Sequence, residues 1–187
     1  MRRVLSMAVF GGLLAAPLWA GEVTEQAAAS RAIVAEFAQG LKAELQAAMQ
    51  SGGAVSAIQV CNTRAPDIAR RAGESFGGRV ERTSLRVRNP DNAPDPWERA
   101  VLEAFERRQA AGEDPAQLEH FEVVEADGRR VFRYMKAIPT AGLCLTCHGS
   151  ALAPNVVQAL DRLYPRDRAR GFEVGDIRGA FSIEKPM

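Results

Sequence analysis

Cys144-Leu145-Thr146-Cys147-His148, followed by Gly149, is the stretch from which the rest of this sequence is interpreted. Two cysteines separated by two residues and followed at once by a histidine are the attachment signature of a c-type haem. Each thiol adds to one vinyl group of the porphyrin, and the histidine is then placed to bind the iron through its neutral imidazole. We therefore predict one covalent haem c, held by Cys144 and Cys147, with His148 as the proximal iron ligand.

Two other interpretations of the same motif are a thioredoxin-like redox pair and half of a zinc site. A structural zinc site usually takes four side-chain ligands, and a second cysteine pair is the common way to complete it. The sequence has 3 cysteines in all, so no second pair exists. The haem interpretation is the one we favour.

The first 20 residues have the pattern of a secretory signal peptide. Met1-Arg2-Arg3 is basic, residues 4–16 are apolar apart from one serine, and Ala20/Gly21 is the predicted cleavage site. The apolar run is too short to span a bilayer, and no later run approaches that length, so we predict a periplasmic product without a membrane span. Removing two arginines takes the formal charge from +1 to −1. A nearly neutral chain gives no indication of nucleic-acid binding.

The rest of the chain is long enough for one ordinary domain with its own core. From Thr24 apolar residues recur at four-residue steps, at Ile33, Phe37, Leu41 and Leu45, up to Ser51-Gly52-Gly53. We take 21–53 as an N-terminal helix and 54–187 as the haem domain. The helix could lie across a sheet or pair with its copy in a homodimer, and we favour the first.

Downstream, strand-like segments alternate with helical ones. The strands are predicted at 79–87, 121–125, 130–135 and 179–183, and Asp127-Gly128 is a strong hairpin signal between the middle two. Helices are predicted to open at Pro66 and at Pro96, capped by Asp95, and to cover 156–163. The sequence therefore predicts an α+β fold with an antiparallel sheet flanked by helices.

A haem iron needs a second axial ligand or an open site. Cys61 is the cysteine left over from the motif, and His120, Met49 and Met135 are the other internal candidates. A thiolate ligand lowers the reduction potential, and a methionine raises it. The residues alone also allow Cys61 to be a small packing residue, His120 a surface histidine and Met135 part of the core.

Arg86 and Arg88 precede a proline-rich loop that begins at Asn89. Haem propionates are carboxylates, and guanidinium groups bind carboxylates with two parallel hydrogen bonds. We predict that Arg86 and Arg88 reach a propionate; the alternative is that both are solvated strand residues.

Several segments together resemble the small extracytoplasmic haem c proteins with a PAS-like sensor fold. The specific ones are Arg86-x-Arg88-Asn89-Pro90 and Gly175-Asp176-x-x-Gly179-Ala180, and further similarity lies at 57–61, 133–138 and 144–149. The resemblance implies a PAS-like antiparallel sheet, with His148 as the proximal and Cys61 as the distal ligand. In that family the domain also occurs as the outer sensor module of membrane-bound signalling proteins.

These features predict a soluble monohaem cytochrome c that acts in redox or gas sensing or in low-potential electron transfer. In the sensing version, reduction or a gas displaces Cys61 and moves its segment. The alternative function is a His/Cys haem enzyme of sulfur-compound oxidation. Only Cys61 favours an enzyme, because the sequence shows no second haem motif and no acid–base cluster. The sequence does not specify the redox or signalling partner.

Overall fold

The computed structural model describes residues 18–187, with side chains from residue 21, so the predicted signal peptide lies almost wholly outside the described residues. The chain is an α+β fold with a long N-terminal helix and an antiparallel sheet flanked by helices, which confirms the predicted fold class. In chain order its helices and strands are α1 (Leu18–Phe76), β1 (Arg79–Thr83), α2 (Pro96–Ala110), β2 (Glu119–Ala126), β3 (Arg129–Pro139), α3 (Leu145–His148), α4 (Pro154–Leu163) and β4 (Ile177–Pro186).

The sheet has four strands in the order β1-β4-β3-β2, and every neighbouring pair is antiparallel. The hairpin at Asp127-Gly128 joins β2 to β3 as predicted. The first strand is shorter than predicted: it ends at Thr83 rather than at residue 87. There Ser84 turns away from the ladder, and its hydroxyl donates to the carbonyl of Arg178 at 2.8 Å.

Helix α1 is broken at Gly53, whose φ of 69° and ψ of −163° are not helical. Glycine adopts this conformation without the steric penalty that other residues meet. The break separates a first arm, residues 18–52, from a second arm, residues 54–76. The predicted helix end at Gly52-Gly53 coincides with the break, but the second helix begins at once rather than at Pro66, which lies inside it. The predicted division into 21–53 and 54–187 falls here, and as a domain boundary it stays a prediction.

The two faces of the sheet carry separate cores. The first arm of α1 covers one face, where the Phe37 and Phe181 rings meet edge to face with centroids 5.2 Å apart. Helix α2 covers the other face through Leu102 and Phe105. Within residues 18–187 no helix combines the length and the apolar character that a membrane crossing requires.

Candidate functional site

A cavity of about 1370 Å³ lies among α1, β1 and the segment that leads from β3 into α3. Pockets for small molecules usually measure roughly 300–1,000 Å³, so this one has room for a larger molecule. Much of its wall is apolar and comes from both arms of α1 and from the sheet, through Leu41, Leu45, Ile58, Val80, Ile138 and Phe181. The structure thus brings the long helix and the sheet together around one space.

All four predicted haem-attaching and iron-binding residues line this cavity: Cys61, Cys144, Cys147 and His148. The three motif residues stand on a short turn, a 3-10 segment at Gly142–Cys144 that runs directly into the single helical turn of α3. Side chains three residues apart lie on the same face of a helical turn, so the two thiols face the same way. Both are free and partly buried.

The His148 ring is oriented by the backbone. Its Nδ1 lies 2.8 Å from the carbonyl oxygen of Ala169, an acceptor, so Nδ1 carries the proton and donates it. Nε2 is therefore the nitrogen with the lone pair, and it faces Nε of Arg178 at 3.4 Å and Nη1 of Arg88 at 3.5 Å. Burial, together with the positive charges of Arg178 and Arg88, lowers the pKa of His148 to about 2. The imidazole is neutral, which is the form that binds metals.

The donor set fits a metal that arrives inside a macrocycle better than one bound by side chains alone. Across residues 18–187 no three His, Cys, Asp or Glu side chains converge as a metal site. A haem iron needs only one or two axial ligands from the protein. One imidazole and one thiol in a large apolar cavity meet that requirement.

The structure narrows the candidates for the second axial ligand. Cys61, from the second arm of α1, and Met49, from the first arm, both line the cavity. His120 does not: it is half-buried on β2, with Nε2 3.2 Å from a carboxylate oxygen of Glu122. Met135 is fully buried in the core under α2, on the other face of the sheet. The Cys61 thiol is close enough to Cys147 to interact with it electrostatically.

Of the two predicted propionate-binding arginines, only Arg88 is at the cavity, and it is already bound to protein. Its side chain is 7% exposed, and Nε pairs with a carboxylate oxygen of Asp167 at 3.2 Å. Nη2 donates to the carbonyls of Cys147 and Ala169, at 2.5 and 3.0 Å. Arg88 therefore links the attachment turn, residues 142–148, to the loop that follows α4.

Arg86 lies outside the cavity, contrary to its predicted role. Its guanidinium carbon sits 4.0 Å from the centroid of the Phe172 ring, and Nη2 donates to the carbonyl of Arg170. The reason is that β1 ends at Thr83, so the alternation that would have placed residues 86 and 88 on one face stops before it reaches them.

Among the cavity-lining arginines that were not predicted from the sequence are Arg82 and Arg178. Arg82 shares a strand face with Val80, whose side chain is in the core under α1. The alternation of side chains along the strand was therefore the sequence signal that could have identified Arg82. Arg178 comes from the start of β4, and its Nε lies 3.4 Å from Nε2 of His148. No sequence pattern indicated it.

Fold and cavity define a class of small α+β domains in which a broken helix and an antiparallel sheet enclose a cofactor-sized space. The Tll0287-like family model, described as Tll0287, matches residues 20–186, so the chain belongs to the Tll0287-like family. The family resemblance seen in the sequence is thereby confirmed.

Among solved structures, the chain is similar to the crystal structure of the cyanobacterial heme-protein Tll0287. The TM-score is 0.63 at 21% identity, and the match covers 92% of this chain and 98% of that chain. At this identity the likeness establishes the shared fold. A comparison with curated proteins found no match.

Proposed function

We propose that the protein binds one haem c covalently and acts in redox or gas sensing or in low-potential electron transfer. The observation that carries the proposal is that Cys144, Cys147 and His148 line one apolar cavity together with Cys61, which lies 83 positions earlier in the chain. The similarity to a heme-protein of the same fold supports it.

Cys144 and Cys147 would hold the haem, because each Sγ–H can add across one vinyl double bond. His148 through Nε2 and Cys61 through its thiolate would be the axial ligands, as the family resemblance implies. When bound, the haem would supply one-electron chemistry at its iron.

The chain's own residues prepare the site for this task. The Ala169 carbonyl orients His148, and Arg88 holds the Cys147 carbonyl in place. With the haem bound, the apolar walls would exclude water, which would strengthen the interactions between charges inside the cavity. A thiolate from Cys61 would favour the ferric state and so lower the reduction potential.

The test of this function is covalent haem in protein produced together with a c-type maturation system. We expect one haem per chain that stays attached on denaturation, seen by mass and by the pyridine haemochrome spectrum. Cys144→Ser and Cys147→Ser should each leave a single thioether, and the double variant should lose the covalent haem. Stoichiometric haem that is extracted from the denatured wild type would contradict the proposal.

Sensing and plain electron transfer differ in whether Cys61 leaves its position. Sensing requires the ferrous protein to accept carbon monoxide while the thiol of Cys61 is released. A ferrous protein that does not bind carbon monoxide contradicts sensing and leaves electron transfer as the proposed function.

The proposal also places the mature protein in the periplasm, on the signal-peptide pattern of residues 1–20. Fractionation should recover a product whose N-terminus is Gly21. Recovery of the uncleaved chain from the cytoplasm would contradict this location.

A further inference from the structure

Among the arginines that line the cavity, Arg82, Arg88 and Arg178 differ in whether their charge is balanced. Arg88 is balanced by the buried carboxylate of Asp167. Arg82 and Arg178 have no carboxylate within ion-pairing distance among residues 21–187. The cavity wall therefore contains two guanidinium charges without an acid partner.

The contacts of these two arginines leave donors free. The Arg82 side chain makes no hydrogen bond within the described residues, and its guanidinium carbon lies 5.9 Å from the centroid of the Phe37 ring. Arg178 donates from Nη1 to the hydroxyl of Ser84 at 3.1 Å and to the carbonyl of Arg86 at 3.4 Å, and its Nε faces Nδ1 and Nε2 of His148 at 3.2 and 3.4 Å. The Nη2 of Arg178 has no partner in the same part of the chain. A guanidinium offers five N–H donors in a rigid fork, so Arg82 retains all five for a ligand and Arg178 retains the two of Nη2.

The other charged groups around the cavity do not neutralise them. At its rim, Arg70 pairs with Glu74 at 2.7 Å, and Arg79 pairs with Glu81 at 3.1 Å. Asp91 also lines the cavity, but it is exposed and forms no ion pair within the described chain. The rim acids are therefore either paired already or turned to water.

Burying a charge without a partner is unfavourable, and proteins usually pair it or use it to bind an ion of opposite sign. Burial accordingly lowers the pKa of both Arg82 and Arg178. A ligand that brings two carboxylates into the cavity would balance both charges at once.

We propose that Arg82 and Arg178 bind the two propionate carboxylates of the haem, and this inference rests on the proposed function. It replaces the earlier assignment to Arg86 and Arg88, since Arg86 points away from the cavity and Arg88 is bound to Asp167. The guanidinium fork matches a carboxylate with two parallel hydrogen bonds.

The experiment compares Arg82→Gln and Arg178→Gln with Arg86→Gln as the matched control in the holoprotein. Resonance Raman propionate bending bands report hydrogen bonding to the carboxylates directly. We expect these bands to shift in Arg82→Gln and Arg178→Gln and to stay at the wild-type position in Arg86→Gln. The midpoint potential should fall in the first two variants because a positive charge near the iron is lost.

Lysine variants keep the test decisive if a glutamine variant does not fold. Arg82→Lys and Arg178→Lys keep the charge but lose the fork, so the potential should stay near the wild-type value while the Raman bands still shift. Unchanged bands in the variants at 82 and 178, or a shift in Arg86→Gln alone, would overturn the assignment. Either of these Raman results, in a protein that carries covalent haem, overturns the arginine assignment alone. A wild-type protein without covalent haem contradicts the proposed function as well.

Discussion

Nδ1 of His148 lies 2.8 Å from the carbonyl oxygen of Ala169, and the amide of Ala169 in turn donates to a carboxylate oxygen of Asp167 at 2.9 Å. The same carboxylate pairs with Arg88, whose guanidinium binds the carbonyl of Cys147. A closed set of contacts thus runs from the histidine through the loop after α4 and back to the attachment turn. Groups that orient a metal-binding histidine also fix which nitrogen carries its proton.

Replacing Arg88 should break this set of contacts. Arg88→Met leaves the buried carboxylate of Asp167 with Arg170 as its remaining charged partner and removes a donor from the carbonyls of Cys147 and Ala169. Removing one member of a buried ion pair costs about 3 kcal/mol or more. We expect a loss of that order in the free energy of unfolding, measured by urea titration.

The matched control is Arg64→Met, because Arg64 is exposed and pairs with Glu44 at 3.3 Å on the surface of α1. Exposed pairs contribute roughly 0–1 kcal/mol, so this variant should unfold near the wild-type urea midpoint. Equal losses in the two variants would show that Arg88 does not hold the turn.

Replacing Cys61 should decide between the two candidates for the second axial ligand. A low-temperature EPR spectrum of the ferric wild type should show a low-spin signal with a narrow spread of g values, typical of thiolate ligation. Cys61→Ser should abolish that signal, and Met49→Leu should leave it in place. A wide g spread that disappears in Met49→Leu would assign the iron to Met49 and leave Cys61 as a packing residue.

Gly179 is required where β4 passes β1. A Cβ at this position would lie 2.2 Å from the carbonyl oxygen of Thr83 and 3.1 Å from Cβ of Ser84. Since the nearest of these atoms belongs to the backbone, Gly179→Ala forces the two strands apart, and overpacking of this kind costs about 2 kcal/mol or more. We expect a fall of that size in the free energy of unfolding.

Gly40→Ala tests whether any glycine-to-alanine substitution lowers the free energy of unfolding. Nothing lies within 4 Å of a Cβ at residue 40, which is exposed on the first arm of α1. Alanine favours helix by about 1 kcal/mol over glycine, so this variant should be more stable than wild type. A neutral Gly179→Ala would contradict the close approach of the strands.

Glu119 should make stability depend on pH. Arg31 donates to its carboxylate at 2.6 Å and the Tyr134 hydroxyl at 2.9 Å, and Lys136 adds a further positive charge nearby. The hydrogen bonds from Arg31 are the main cause that holds the pKa of Glu119 below its ordinary 4.5. A carboxylate with a depressed pKa stabilises the fold above its unfolded-state pKa and loses that effect as pH falls.

Glu119→Gln should therefore be less stable than wild type at pH 7, by about 1 kcal/mol since the pair is partly exposed. The difference should shrink steadily below pH 4.5. Urea unfolding between pH 7 and pH 3 measures it, with the exposed Glu36→Gln as the control. A difference that does not change with pH would rule out the carboxylate as its source.

The features that could be predicted from the sequence are those with local causes. The attachment motif, the Asp127-Gly128 turn and the capped start of α2 at Asp95 each depend on residues close together in the chain. In α2 the Asp95 carboxylate accepts from the Glu98 amide at 2.7 Å, and the Glu98 carboxylate accepts from the Asp95 amide at 3.0 Å. Such contacts form in almost any tertiary setting.

The features that could not be predicted depend on distant contacts. The sequence predicts a helix end at Gly52-Gly53 and a new helix only from Pro66, whereas the second arm of α1 is helical from residue 54. It is helical because Ile58 packs against Leu160 and Tyr164, about a hundred residues further on. The roles of Arg82 and Arg178 depend likewise on how β1, β4 and α1 meet.

The break at Gly53 has a consequence for how the holoprotein is assembled. Cys144, Cys147 and His148 lie within five consecutive residues, whereas Cys61 precedes Cys144 by 83 positions. On the proposed function, thioether formation would need only the short segment, whereas Cys61 reaches the cavity only when the second arm has packed. Contacts between distant residues form late because the chain must first close a long loop. On the proposed function, we therefore expect thioether formation to precede the packing of the second arm.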